Sequence, residues 1–156
     1  MSRAFVRESD QDAASESLPE RPISPHPNFV TPQGLRQIEE TIRELESARQ
    51  AARAAEDEAA LARIARDLRY WTQRRATARV IEPPEAPGTV RFGVNVTLRL
   101  PDGSERSFRL VGEDEADPAK GLLSWVSPLA GSMLGKSVGD VVEFQGQQAE
   151  IVRLSG

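Results

Sequence analysis

Apolar positions in the first half of the chain recur with a helical period. After Thr31-Pro32, the residues Leu35, Ile38, Ile42 and Leu45 follow one another at 3-4-3 spacing and draw a single stripe. Thr31 suits an N-cap, and Pro32 suits the first helical position, where its missing N–H costs nothing. The stripe then thins to Ala48, Ala51, Ala52 and Ala55. A second one carries Leu61, Ile64, Leu68 and Trp71 and runs on toward Ala78 and Val80 before Pro83-Pro84 stop it. Neither stripe is buried by one helix alone, so the pattern predicts an antiparallel hairpin of helices over 32–54 and 58–80. Each arm would be roughly 35 Å long. The turn, AAEDEAA at 54–60, holds no Gly or Pro, and one unbroken helix is the alternative. Asp57 followed by Glu58 reads as an N-cap with a first-turn acid and favours the break.

From Val90 the period becomes two. Val90, Phe92, Val94, Val96 and Leu98 alternate with polar or small residues, as in a half-buried strand. Pro101-Asp102-Gly103-Ser104 is a hairpin turn, with Phe108 and Leu110 on the returning strand. A third strand is expected over 122–126, after which Ser127 caps a short helix beginning at Pro128. The segments 138–144 and 149–154 complete a hairpin around Gly146-Gln147. The fold class is therefore α+β: a tail over 1–30, a coiled-coil hairpin over 31–82 and a β domain with one short helix over 88–156.

Composition narrows the functional classes. The chain has 156 residues, 5% aromatic and 28% charged, with 11 prolines and no cysteine. This suits a small β core with a helical extension, and it excludes disulfides and thiolate metal sites. The start, MSRAFVRESDQ, lacks an apolar h-region, and no stretch approaches the ~18 apolar residues of a membrane span, so a cytoplasmic protein without membrane contact is expected. The net charge of −4 is unevenly spread: residues 31–80 hold 10 basic and 8 acidic groups, all ten bases being Arg, whereas residues 81–156 hold 7 and 11. Such a balance argues against independent sequence-specific DNA binding. Pro19, Pro22, Pro25 and Pro27 block regular structure, so a flexible tail is expected over 1–30; Arg21 to Pro27 suits either an extended arm lying on a partner or plain disorder. His26, the single histidine, has no companion ligand for a metal.

Several motifs occur together in one order: Val90-Arg91-Phe92-Gly93, Leu110-Val111-Gly112, Glu113-Asp114-Glu115-Ala116-Asp117-Pro118, Ser127-Pro128-Leu129-Ala130 and Leu134-Gly135-Lys136-Ser137-Val138-Gly139-Asp140. As a set they resemble the C-terminal domain of the Gre family (GreA/GreB type) of bacterial transcription elongation factors. Thr31-Pro32-Gln33-Gly34-Leu35 is similar to the opening of that family's coiled coil. The resemblance implies an FKBP-like fold without isomerase activity, and RNA polymerase as the partner, gripped at the rim of its secondary channel. It assigns contact roles to Asp114, Glu115, Asp117, Ser127 and Pro128. For each, a purely local role in the turn or the helix start is the competing explanation.

The tip departs from the family. Gre factors carry a longer hairpin whose Gly-Asp-x-x-Glu-Asn signature supplies carboxylates that help hold a second metal ion in the polymerase active site. Here the tip offers only Glu56, Asp57 and Glu58, with no Glu-Asn after them. Metal ligation demands an approach of ~2 Å, and two missing helical turns withdraw a tip by ~11 Å. The expectation is thus an accessory factor with no cofactor of its own, sharing at most the polymerase Mg2+. Weak or absent stimulation of transcript cleavage follows, with two alternatives: a true cleavage factor using these carboxylates, or a binding module outside transcription. Along the second helix Arg63, Arg66, Tyr70 and Arg74 follow 3-4-4 spacing beside Arg69, a basic face suited to the nascent RNA 3′ end or the channel wall. Pairing with Glu39, Glu40, Glu44 and Glu46 of the first helix is the structural alternative. No Ser/His/Asp set, P-loop or dinucleotide motif is present.

Overall fold

The computed structural model describes residues 18–156. In chain order the elements are strand β1 (Phe29–Val30), helix α1 (Pro32–Ala54), helix α2 (Glu58–Thr77), strand β2 (Arg79–Val80), β3 (Asn95–Arg99), β4 (Glu105–Val111), β5 (Leu122–Ser124), helix α3 (Pro128–Met133), β6 (Val141–Phe144) and β7 (Gln147–Ser155). The described residues divide into two compact units, one of residues 18–25 and 38–77, the other of residues 26–37 and 78–156.

The helical unit contains the expected break. Ala55 to Asp57 separate α1 from α2, and Glu56 adopts the left-handed conformation (φ 55°) that turns the chain. Buried Ile38, Ile42, Ala52 and Leu68 lie on the two stripes. The second helix stops at Thr77, short of the expected residue 80, because Arg79 and Val80 are drawn into β2. There the Arg79 N–H donates to the Asn28 carbonyl at 2.9 Å and the Ile81 N–H to that of Val30 at 3.0 Å.

In the β unit, β1 and β2 pair in parallel, Phe29 with Arg79 and Val30 with Val80. Residues 29 and 30, expected to belong to a tail, are instead strand, and Asn28 and Val30 are buried. The remainder of the proposed tail before residue 18 lies outside the described residues. The main sheet has the order β5-β4-β3-β7-β6, antiparallel except for the β4–β5 pair. Val94, Val96, Leu98, Leu110, Met133 and Ile151 are fully buried in its core. The architecture is α+β.

Strand lengths differ from the periodic reading. The first strand begins at Asn95, not Val90, because Arg91 to Val94 close a turn (Val94 N–H to Arg91 O, 3.1 Å) with Gly93 at φ 85°. Val90 instead exchanges backbone hydrogen bonds with Lys136 and Gly135 at 2.8 and 2.9 Å. The segment expected over 122–126 is strand only to Ser124, where the Ser127 N–H closes a turn on its carbonyl at 2.9 Å. Likewise β6 starts at Val141, since Ser137 to Asp140 fold into a turn sealed by the Ser137 N–H on the Asp140 carboxylate at 2.8 Å. The last hairpin turns through Gln145 and Gly146, both at positive φ (51° and 78°), as a two-residue type I′ loop requires.

Gly112 sits where the β1 backbone crosses the end of β4: a Cβ there would stand 2.5 Å from the Phe29 carbonyl oxygen. Backbone cannot yield as a flexible side chain can. Gly112→Ala is expected to destabilise the protein by ~1–3 kcal/mol, read as a lower urea midpoint at unchanged m-value.

Candidate functional site

The residues that resemblance assigned to partner contact cluster around the end of β4, the loop after it and the start of α3. Their first task is structural. Thr31 caps α1: the Gly34 N–H donates to its Oγ1 at 3.0 Å, and the hydroxyl donates to the Glu115 carboxylate, whose oxygens lie 2.8 and 2.7 Å away. Position 34 has no side chain, which leaves room for that carboxylate, since a Cβ would approach Oε2 to 2.6 Å. Ser127 Oγ accepts the Ala130 N–H at 3.3 Å as N-cap of α3, with Pro128 at the first helical position. Asp117 pairs weakly with Lys120 at 3.9 Å and bridges Leu122 through its backbone.

What this cluster displays to a partner is narrower than the motif set. Glu115 is turned inward, and Ser127 is half-buried. Pro118, Lys120 and Pro128 are exposed, and the Asp117 side chain is 42% accessible beside them. Behind the loop, Trp125 meets Phe29 at 5.0 Å and His26 at 6.1 Å between ring centroids, while Phe29 meets Phe92 at 5.9 Å. These aromatics converge here because β1 brings residues 26–30 to the sheet, and no local periodicity announces that.

At the tip, Glu56, Asp57 and Glu58 are all exposed. Asp57 Oδ1 accepts the Ala60 N–H at 3.1 Å, the N-cap bond that opens α2. Among the described residues no three His, Cys, Asp or Glu side chains converge on a metal-sized site.

The arginine series divides. Arg63 and Arg69 are exposed and Arg66 is half-buried, as a contact face requires, but Arg74 is only 2% accessible. Nucleic acid or a channel wall cannot reach it, so its assignment to that face is corrected. At about 100° per residue, Arg74 lies only about 60° around the helix from Trp71, on the margin of the apolar stripe. Acids lie beside the exposed part of the face. Its partners are Glu20, which takes Arg69 Nε at 2.9 and 3.0 Å, and Asp67, 3.6 Å from Arg66 Nε. Arg21 stands 3.9 Å above the Tyr70 ring and 3.4 Å from Asp67. A groove of about 640 Å³ alongside is lined by Glu20, Arg49, Leu68, Arg69, Thr72 and Gln73.

Residues 84–154 match the family described as "Transcription elongation factor, GreA/GreB, C-term". The chain is 46% identical over 67 residues to transcription elongation factor GreA of Paracoccus denitrificans, covering 42% of this chain and 43% of that protein. It is 37% identical over 86 residues to transcription elongation factor GreB of Pasteurella multocida, covering 54% of each. The chain thus spans about half the length of the curated relatives it matches. Among solved structures, GreA factor homolog 1 of Thermus thermophilus aligns with 84% of this chain and 100% of its own, at 22% identity and a TM-score of 0.41. No described helix is long and apolar enough to cross a membrane.

Two outcomes follow from these contacts. Asp57→Ala removes the α2 cap and is expected to cost ~1 kcal/mol, while Asp57→Asn keeps most of it; urea unfolding followed at 222 nm reads both. The hydrogen bond from Arg69, reinforced by its charge and that of Arg66, holds the Glu20 carboxyl below the usual carboxylate range. The pairing is therefore fully present above the unbound carboxyl's pKa and is lost as pH falls through the lowered, bound value. A carboxyl carbon NMR titration is expected to show a depressed Glu20 midpoint that rises in Arg69→Ala.

Proposed function

We propose that this chain, whose residues 84–154 match the GreA/GreB C-terminal family, is a cytoplasmic accessory factor of RNA polymerase that regulates elongation through the secondary channel. In this reading the β unit docks through the exposed rim at Asp117, Pro118 and Pro128. Asp114, Glu115 and Ser127 act there as well, the last two mainly by fixing the loop and helix they belong to. The helical hairpin enters the channel, where it acts by occupying space and altering local charge. Arg63, Arg66 and Arg69 face the channel wall or the nascent RNA 3′ end. Stimulation of transcript cleavage is weak or absent. Any hydrolysis would belong to the polymerase and its metal ions, so the chain is not itself an enzyme.

The observation that carries this reading is the tip. Three residues make the turn, and the acid best placed in it is engaged as a helix cap. Two-metal hydrolysis needs carboxylates presented together at ligand distance, ~2 Å from the ion. One observation favours the alternative, in which the tip helps hold the polymerase Mg2+: all three acids are exposed at the end of the hairpin. In that case Asp57 and Glu58 are the ligands.

Immobilised RNA polymerase is expected to retain the protein. In stalled, backtracked elongation complexes, shortening of the RNA from its 3′ end is expected to stay within about twofold of the intrinsic rate. Failure of retention removes the docking proposal. Strong acceleration that disappears in the Asp57→Ala, Glu58→Ala double variant replaces steric occupancy with carboxylate chemistry.

A further inference from the structure

Glu20 and Arg21 lie on α2 as neighbours of opposite chemistry. The Glu20 carboxylate accepts from Arg69 Nε at 2.9 and 3.0 Å and also from its Nη2. The Arg21 guanidinium covers the Tyr70 ring at 3.9 Å from its centroid, with Trp71 at 5.5 Å. Tyr70 and Trp71 meet edge to face at 5.0 Å and fix the platform. A phosphate engages an arginine through the same fork that a carboxylate uses. A nucleobase stacks on a tyrosine as a guanidinium plane does. Consecutive residues therefore place an anion and a flat π-group on the face where a strand would place its phosphate and base. In the adjoining groove, Arg49 Nε is shielded from solvent and makes no hydrogen bond among the described residues.

We infer that the Glu20-Arg21 segment is an intrachain competitor that occupies the Arg69–Tyr70 face and must leave before a single-stranded nucleic acid can bind it. The inference deepens, and rests on, the reading of this helix face as a nucleic-acid contact. Both members of the ion pair are largely accessible (55% and 62%), so the latch is weak and reversible. A strand with several phosphates displaces it, at an apparent affinity reduced by the fraction of molecules in which the latch is closed. Full neutralisation of the face by a covalent or buried contact would have precluded such exchange.

The test uses the full chain and a fluorescein-labelled single-stranded RNA of about 12 nucleotides, titrated by anisotropy at low salt. The Glu20→Gln, Arg21→Ala double variant alters two surface groups, and its fold is checked by far-UV circular dichroism. It is expected to bind about 5–10-fold more tightly than the unaltered chain, a gain that Arg69→Ala abolishes. Equal affinity of the two chains, with Arg63→Ala and Arg66→Ala weakening both, overturns the latch and leaves the contact face standing. No binding by either chain overturns the contact face and the latch with it.

Discussion

Four residues of strand hold the descending and returning chain together. The Phe29–Val30 pair meets Arg79–Val80 across the whole helical hairpin, and the parallel register leaves no short route between them. Closing a flexible loop of nearly fifty residues costs ~3 kcal/mol or more in chain entropy, and two net backbone hydrogen bonds at ~1 kcal/mol each do not offset that. The deficit is met by what surrounds the pair: buried Val30, the Phe29 ring between Trp125 and Phe92, and the Thr31 cap tied to Glu115. The first turn of helix α1 therefore follows directly from a strand that is already paired.

That dependence explains which parts of the fold local sequence reveals. Stripe spacing, the Asp57 break and the Ser127-Pro128 helix start are encoded within a few residues, and each is found where the pattern puts it. Two-residue strands are shorter than any detectable alternation, and their partners lie fifty residues away, so β1 and β2 leave no local trace. The helical pattern runs on to Val80 for that reason. The run from Val90 to Val94 misleads differently: Val90 and Val94 are both buried, as a strand would bury them, yet a turn through Gly93 achieves it. Burial sets the apolar spacing, and more than one backbone path satisfies it.

Candidate contact residues show the same division between what a motif names and what it does. Glu115 and Ser127 belong to the motifs that carry the family resemblance, yet their side chains complete caps on α1 and α3. Their contribution to docking, on the proposed reading, is positional, whereas Asp117, Pro118 and Pro128 present surface. Arg74 is the reverse case. Its type suggested a charged face, but its angle around α2 put it at the apolar margin, and position outweighed type. The tail's prolines mark Glu20 and Arg21 as irregular chain without naming what they touch, because an ion pair spanning 49 residues has no sequence signature.

The tip poses the sharpest choice, and capping alone does not decide it. Releasing Asp57 from the Ala60 N–H would cost only ~1 kcal/mol, less than a good metal ligand returns. Reach is the stronger constraint. Helices of 23 and 20 residues extend ~34 and ~30 Å. A carboxylate left a single helical turn, ~5 Å, from an ion contributes a screened field and no ligand bond. Steric occupancy and charge tolerate such a shortfall, whereas coordination does not. On the proposed reading, then, a short hairpin with acids at its end and arginines along its side acts by occupying space and altering local charge, because those effects fall off gradually with distance whereas a ligand bond does not.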